Sequence, residues 1–153
     1  MDVKYVNPFI ESFSTVMPEL GFTNVGVGSL SAKKQEVITS GILIVLGIVG
    51  DIKGNVVYTI DNEAAKQVAS MMMMGMPVEE LDDMAKSALS ELTNMLTANA
   101  ATAFSDIGIS VEISTPTLLQ GENIRINMNS LQILCVTVMA DSLPIDINIA
   151  FEG

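Results

Sequence analysis

The 153-residue chain contains no histidine and no tryptophan, a single cysteine (Cys135), and seven Lys and Arg against eighteen Asp and Glu, for a formal net charge of −11. Each shortage closes off some chemistry. Without histidine, and with one thiol, the chain cannot build a Ser-His-Asp or Cys-His nucleophile pair, a structural zinc site or a disulfide framework. The acidic balance repels nucleic-acid phosphates and anionic headgroups, and Lys33-Lys34 is the one adjacent basic pair; no nucleic-acid partner is expected. Long hydrophobic runs are missing too. The longest, Ile42 to Val49 with Gly47 inside it, is less than half the roughly 20 residues a membrane span needs, so no membrane insertion is expected. Met1-Asp2-Val3-Lys4-Tyr5 has neither the basic nor the apolar region of a signal peptide, which makes the cytoplasm the expected location.

What the chain does have is apolar residues, 49% of the total, and enough length for one domain with a substantial core. No Ser/Pro/Gly-rich linker divides it, so residues 1–153 are expected to form a single domain. The spacing of Val6, Phe9, Ile10, Phe13, Met17 and Leu20 predicts a helix ended by Gly21, with Pro8 in its first turn and Asn7 as its cap. Strand-like sequence follows through Val25 and Val27. Val37–Val49 and Asn55–Ile60 predict a hairpin around Asp51-Ile52-Lys53-Gly54, with Ile42 to Leu46 buried on both faces. Asp61-Asn62 opens a second helix through Met71–Met74, stopped by Gly75 and Pro77. A third begins in the acidic stretch Glu79–Asp83 and runs to about Ser105. Ile109–Ile113, Leu131–Met139 and Ile145–Phe151 read as strands, the last two joined by a turn at Asp141–Pro144.

Side by side, these pieces suggest a duplication. Each half reads helix, strand, buried strand, turn, strand, and the Met-rich helix joins them. Gly21 and Gly108 set an offset of 87 residues, which puts Asn7 opposite Asn94 and Lys4 opposite Glu91. The expected fold is α+β: an antiparallel sheet packed with helices, in duplicated halves related by a pseudo-twofold axis.

The third helix is unusual for its position. Ala85, Ala88, Leu89, Leu92, Met95, Leu96, Ala100 and Ala103 form its apolar stripe; Ser87, Ser90, Glu91, Asn94, Thr97, Ala98 and Ala101 lie opposite. A solvated face is ordinarily filled with Lys, Glu, Arg and Gln, better helix formers than Ser, Thr and Asn. Here Glu91 and Asn94, three residues apart and therefore neighbours, project from a platform of short side chains. Composition alone favours a plainer account, a helix packed closely on a neighbour, and an E-x-x-N pair is by itself a weak signal. The Met run reads more readily as core filling than as a partner surface, Cys135 as an inert buried thiol. The glycines lack any phosphate-cradling pattern, and the Glu79–Asp83 acids read as a solvated helix start rather than an ion site.

The motif that changes this balance is Ser87, then Glu91, Asn94 and, twenty-two residues later, Pro116, followed by Thr117-Leu118-Leu119-Gln120-Gly121. With Val6-Asn7-Pro8-Phe9-Ile10 and Met71–Met76, it resembles the bacterial chemotaxis phosphatases of the CheC, CheX and FliY group, and within it the single-site CheX type. The resemblance spans Asn7 to about Phe151. It departs at Ser90, Thr93 and Ala98, where relatives often carry glycine, and Lys4 opposite Glu91 leaves the first half without a second site. It implies a CheC-like fold and hydrolysis of the aspartyl phosphate of a CheY-type receiver. Asn94 would position water, Glu91 would dock to the receiver's active-site lysine, and Ser87, Ser90 and Ala98 would contact the partner. It also implies no cofactor in this chain, magnesium in the receiver, and a homodimer. A non-catalytic receiver-binding or flagellar-switch module is the second reading of the same residues.

Overall fold

The computed structural model describes residues 3–33, 36–128 and 133–152. Lys34 of the basic pair, Leu131 and Gln132 of the expected strand, and Met1 and Asp2 lie outside them.

A short 3-10 turn over Val3–Tyr5 leads into α1 (Asn7–Glu19), followed by β1 (Val25–Lys33), β2 (Glu36–Gly50), β3 (Gly54–Ile60) and α2 (Asn62–Met72). The second half continues with α3 (Asp83–Asp106), β4 (Val111–Ile113), β5 (Thr117–Asn127), β6 (Ile133–Ala140) and β7 (Leu143–Phe151). All seven strands join one sheet in the order β1-β6-β7-β3-β2, with β4 and β5 both on the far edge of β2, every pair antiparallel. That order reads the same from either end once the halves are exchanged. The first strand of each half pairs with the second strand of the other, and the last strands, β3 and β7, meet in the middle.

The duplication reaches into local detail. α1 and α3 end in the same cap: Gly21 and Gly108, at φ +106° and +83°, occupy the left-handed position after the helix. The next residues, Phe22 and Ile109, donate back to the Met17 and Phe104 carbonyls. An aspartate in each half's hairpin turn then clasps the loop after the other half's helix. Asp51 accepts the Ser110 N–H at 2.8 Å and returns its own N–H to the Ser110 carbonyl. Asp141 accepts the Asn24 N–H at 2.8 Å and the N–H and hydroxyl of Thr23 at 3.0 Å each, and returns its N–H to the Asn24 carbonyl.

These bonds, that from Asn24 foremost, hold the Asp141 carboxyl below the usual aspartate range. A group whose pKa is depressed on folding stabilises the fold above its unfolded pKa and loses that contribution as pH falls through the folded one. Asp141→Asn is therefore expected to be less stable than the native chain at pH 7. The difference should shrink as the pH falls below about 4, where aspartates begin to protonate. Urea titrations across that range would show it; a constant difference down to acid would contradict the clasp.

One face of the sheet carries the helices and the main core. Ile42, Ile44, Leu46 and Ile48 of β2, Tyr58 of β3 and Ile145, Ile147 and Ile149 of β7 meet Phe9, Phe13 and Met17 of α1 and Leu89, Leu92, Leu96 and Phe104 of α3. On the other face Leu43 and Val57 are buried with Val37, Met128, Ile133 and Ala150. The apolar run in β2 is thus covered on both sides, as expected, because the outer ends of β2, β5 and β6 supply a small second cluster. Cys135 is buried in β6.

Two expectations about the helices need correction, and one strand has no counterpart in the sequence reading. Asn7 is not a cap but the first residue of α1; Val6 holds the cap position without a side-chain bond. The second helix stops at Met72, because Met74 and Gly75 both take positive φ (+60° and +86°). Met71 and Met72 pack against the core, whereas Met74 is 97% exposed. The strand β5 was not foreseen at all. Its outward pattern, Thr117-Leu118-Leu119-Gln120-Gly121-Glu122-Asn123, lacks the alternation of a half-buried strand, as suits an edge that covers little core.

Candidate functional site

α3 starts with Asp82, whose carboxylate accepts the Ala85 N–H at 2.9 Å, and lies with Ala85, Leu89, Leu92, Leu96, Ala100 and Phe104 buried against the sheet. Thr93 and Thr97 are buried with them, at 2% and 1% exposure. Thr97 therefore belongs to the core side and not to the polar platform, contrary to its expected place. The reason is hydrogen bonding. Its hydroxyl donates to the Thr93 carbonyl at 2.7 Å and meets the Tyr58 hydroxyl at 2.9 Å, while the Thr93 hydroxyl donates to the Ser90 carbonyl at 3.0 Å. With the Thr97 proton so committed, Tyr58 is the donor between them. Burial pushes its hydroxyl far above the usual tyrosine range, only partly opposed by the bond to Thr97, and so keeps it protonated. A chain of bonds thus runs from the sheet into the turns of α3 that carry Glu91 and Asn94.

On the outer side of those turns Ser87, Ser90, Glu91 and Asn94 line one groove of about 600 Å³, together with Asp83 and Lys86 of the same helix and Thr115, Pro116 and Leu118 opposite. Glu91 and Ser87 are exposed; Ser90 and Asn94 are half-buried. Neither the Glu91 carboxylate nor the Asn94 carboxamide has a hydrogen-bond or ion-pair partner among the described residues. Ala98, a turn beyond Asn94, is exposed but does not line the groove.

The far wall is made by a bulge. β4 and β5 run along β2 as one interrupted edge strand: Ile48 pairs with Ile113 and Val45 with Thr117, so Leu46 and Gly47 face the three residues Ser114, Thr115 and Pro116. Ser114 stays attached, its N–H donating to the Gly47 carbonyl and its Oγ accepting the Gly47 N–H at 2.8 Å. The surplus is taken up by Thr115 and Pro116, which line the groove. Pro116 has no N–H to leave unpaired, and a bulge is where a strand can redirect side chains. β1 carries its own register shift at Gly28, 87 residues before Thr115.

The first half builds no such site. Lys4 and Asn7, the counterparts of Glu91 and Asn94, straddle the junction of the 3-10 turn and α1, and Lys4 lies 5.2 Å from the centre of the Tyr5 ring. Among the described residues no cluster of His, Cys, Asp or Glu is placed to hold a metal ion, and no helix is long and apolar enough to cross a membrane. Reading the sequence identified Ser87, Ser90, Glu91, Asn94 and Pro116 of this groove. It missed the parts played by Asp83, Lys86, Thr115 and Leu118; for Lys86 the available signal was its spacing of four from Ser90 and eight from Asn94.

The chain thus presents a symmetric antiparallel sheet with helices on one face and a polar groove beside the helix of the second half. The crystal structure of a CheC-like superfamily protein from Shewanella sp. PV-4 matches over the whole of both chains, at a TM-score of 0.85 and 27% identity. Residues 42–139 match the family described as chemotaxis phosphatase CheX. Over 127 residues, 82% of this chain and 81% of the relative, the sequence is 35% identical to the CheY-P phosphatase CheX of Thermotoga maritima. The chain belongs to the CheX family of chemotaxis phosphatases. The crystallised CheX–CheY–BeF3–Mg2+ complex from Borrelia burgdorferi is also similar, at a TM-score of 0.83 and 27% identity over 99% of this chain and 100% of that one.

Proposed function

We propose that the chain is a cytoplasmic phosphatase that hydrolyses the aspartyl phosphate of a CheY-type receiver in chemotaxis, that the α3 groove is its catalytic surface, and that residues 1–153 act as one CheX-like domain. The observation that carries this reading is the state of Glu91 and Asn94: neighbours on a helix fixed from below, open to a partner and with side chains not engaged by any other described residue. The family supports it, since the Thermotoga maritima relative is named for this activity and the Borrelia burgdorferi relative is crystallised with CheY, BeF3 and Mg2+.

Phosphoryl transfer asks the protein chiefly for positioning and electrostatics. A carboxamide accepts one hydrogen bond from a water and donates another without bringing negative charge toward the phosphoryl group, and Asn94 has that role. A carboxylate at Glu91 would repel the phosphate; its role is an ion pair with the receiver's active-site lysine, which orients α3. Ser87 and Ser90, and Ala98 on the next turn, keep the approach low enough for the receiver to reach Asn94. Magnesium belongs to the receiver, where it offsets phosphoryl charge; this chain contributes no ligand to it. A homodimer is part of the reading, supported by the half-exposed Val27 and Leu30 of edge strand β1; sedimentation would count the chains.

The direct test is the decay of a phosphorylated CheY-type receiver in the presence of magnesium, with and without catalytic amounts of the chain. Multiple turnovers per chain are expected. Binding to the phosphorylated receiver without faster decay would remove the catalytic assignment.

A further inference from the structure

We propose that Lys86 is a docking residue of the same groove and pairs with a carboxylate on the receiver's surface, outside the phosphorylation site; the proposal rests on the phosphatase reading above. Lys86 lines the groove and is only half-buried, yet it forms no ion pair with any described residue, Asp83 one turn before it included. Lys53, in the turn before β3, is unpaired among the described residues as well, but it is exposed, whereas Lys86 is half-buried in the groove. Lys66 pairs with Glu63 at 3.2 Å and Arg125 with Glu36 at 3.7 Å. A cation held in a groove beside Asp83 and Glu91 and paired with neither has its charge available for an acidic group that a partner brings.

The helix decides which acidic group. Lys86 precedes Ser90 by four residues and Asn94 by eight, so it lies along the same side of α3, about 12 Å from Asn94 at 1.5 Å rise per residue. Its side chain leaves the backbone toward the helix N-terminus, away from Asn94, and spans about half that distance. With Asn94 at the attacking water, the Lys86 ammonium falls short of the phosphoryl oxygens. Its partner is then a carboxylate on the receiver face that covers the first turns of α3. Such a contact assists docking in both states of the receiver and leaves the chemical step alone.

The test measures affinity for a CheY-type receiver, unphosphorylated and as its beryllofluoride complex, at low and high salt, together with kcat and KM on the phosphorylated form. For Lys86→Ala we expect about three- to fivefold weaker binding to both forms at low salt, a smaller salt dependence and a KM raised to match, at unaltered kcat. Lys86→Glu should lose more and Lys86→Arg little. If Lys86→Ala binds as tightly as the native chain, the proposal is overturned. Weakened binding confined to the beryllofluoride form, or a fall in kcat at constant KM, overturns it in favour of a contact with the phosphoryl group. A native chain that neither binds nor dephosphorylates the receiver overturns the phosphatase reading itself, and the docking role with it. Circular dichroism of the variants separates any folding defect from these effects.

Discussion

Asn94→Ala is expected to bind the phosphorylated receiver within about twofold of the native chain and to lose about two to four orders of magnitude in turnover, the range typical for a group that positions or activates a reacting water. Stability should not fall. Asn94 has no side-chain partner among the described residues to lose, it is half-buried, and Ala is the better helix former. Glu91→Lys should behave in the opposite way. Under the proposed pairing of Glu91 with the receiver's lysine, a cation here turns attraction into repulsion, so affinity is expected to drop by at least about tenfold, while whatever complex forms retains Asn94. Single-turnover decay measured at saturating concentrations of each variant separates the two. Equal loss of binding in both, with turnover per complex unchanged, would contradict the division of roles.

The largest structural effect is expected at Gly54, where β3 begins beside β7. A Cβ built there would overlap the Ala150 carbonyl oxygen and come within 2.8 Å of the Phe151 Cα and ring. Gly54 pairs with Phe151 on one side and Ile48 on the other, and its neighbour Lys53 accepts the Glu152 N–H. The backbone thus cannot move away without opening a ladder on one side. Gly54→Ala should cost about 3 kcal/mol or more, lowering Tm by roughly 6–12 °C for a chain of this size. Gly26, on edge strand β1, has no atom within 4 Å of the equivalent Cβ; Gly26→Ala is the control and should leave Tm nearly unchanged. Thermal unfolding followed by circular dichroism decides it, and equal melting of the two variants would sink the steric argument.

Most of the elements could be read from the sequence because their signals are local. Period-two alternation marks β7, a continuous apolar run marks β2, and the glycines at 21 and 108 mark two helix ends that the structure closes with the same cap. The duplication followed from placing those signals in register. What escaped was non-local. β5 becomes a strand because β2 offers it an edge, not because its own side chains alternate. The sequence around Thr97 suggests a polar face, but a hydroxyl can be buried when a tyrosine on a strand and a carbonyl one turn back both bond to it, and Tyr58 is thirty-nine residues away. In the groove, the α3 contribution was visible from helical spacing. The opposite wall was not, since Thr115 and Leu118 reach it only through a register shift that no spacing rule reveals.

The exchange of strands between the halves bears on how the chain is made. Val25 of β1 has no partner until Ala140 arrives, the outer edge of β2 waits for Thr117–Asn127, and β3 gains its second neighbour only with β7. An N-terminal half emerging from the ribosome therefore carries a finished hairpin, β2–β3, with unpaired, strongly apolar edges on both sides. Such long-range pairing is slow to form and prone to aggregate while incomplete. Each half acts in effect as the other's folding template in cis. For this reason the first half, though it lacks the Glu-and-Asn pair, is as indispensable to the groove as the half that bears it.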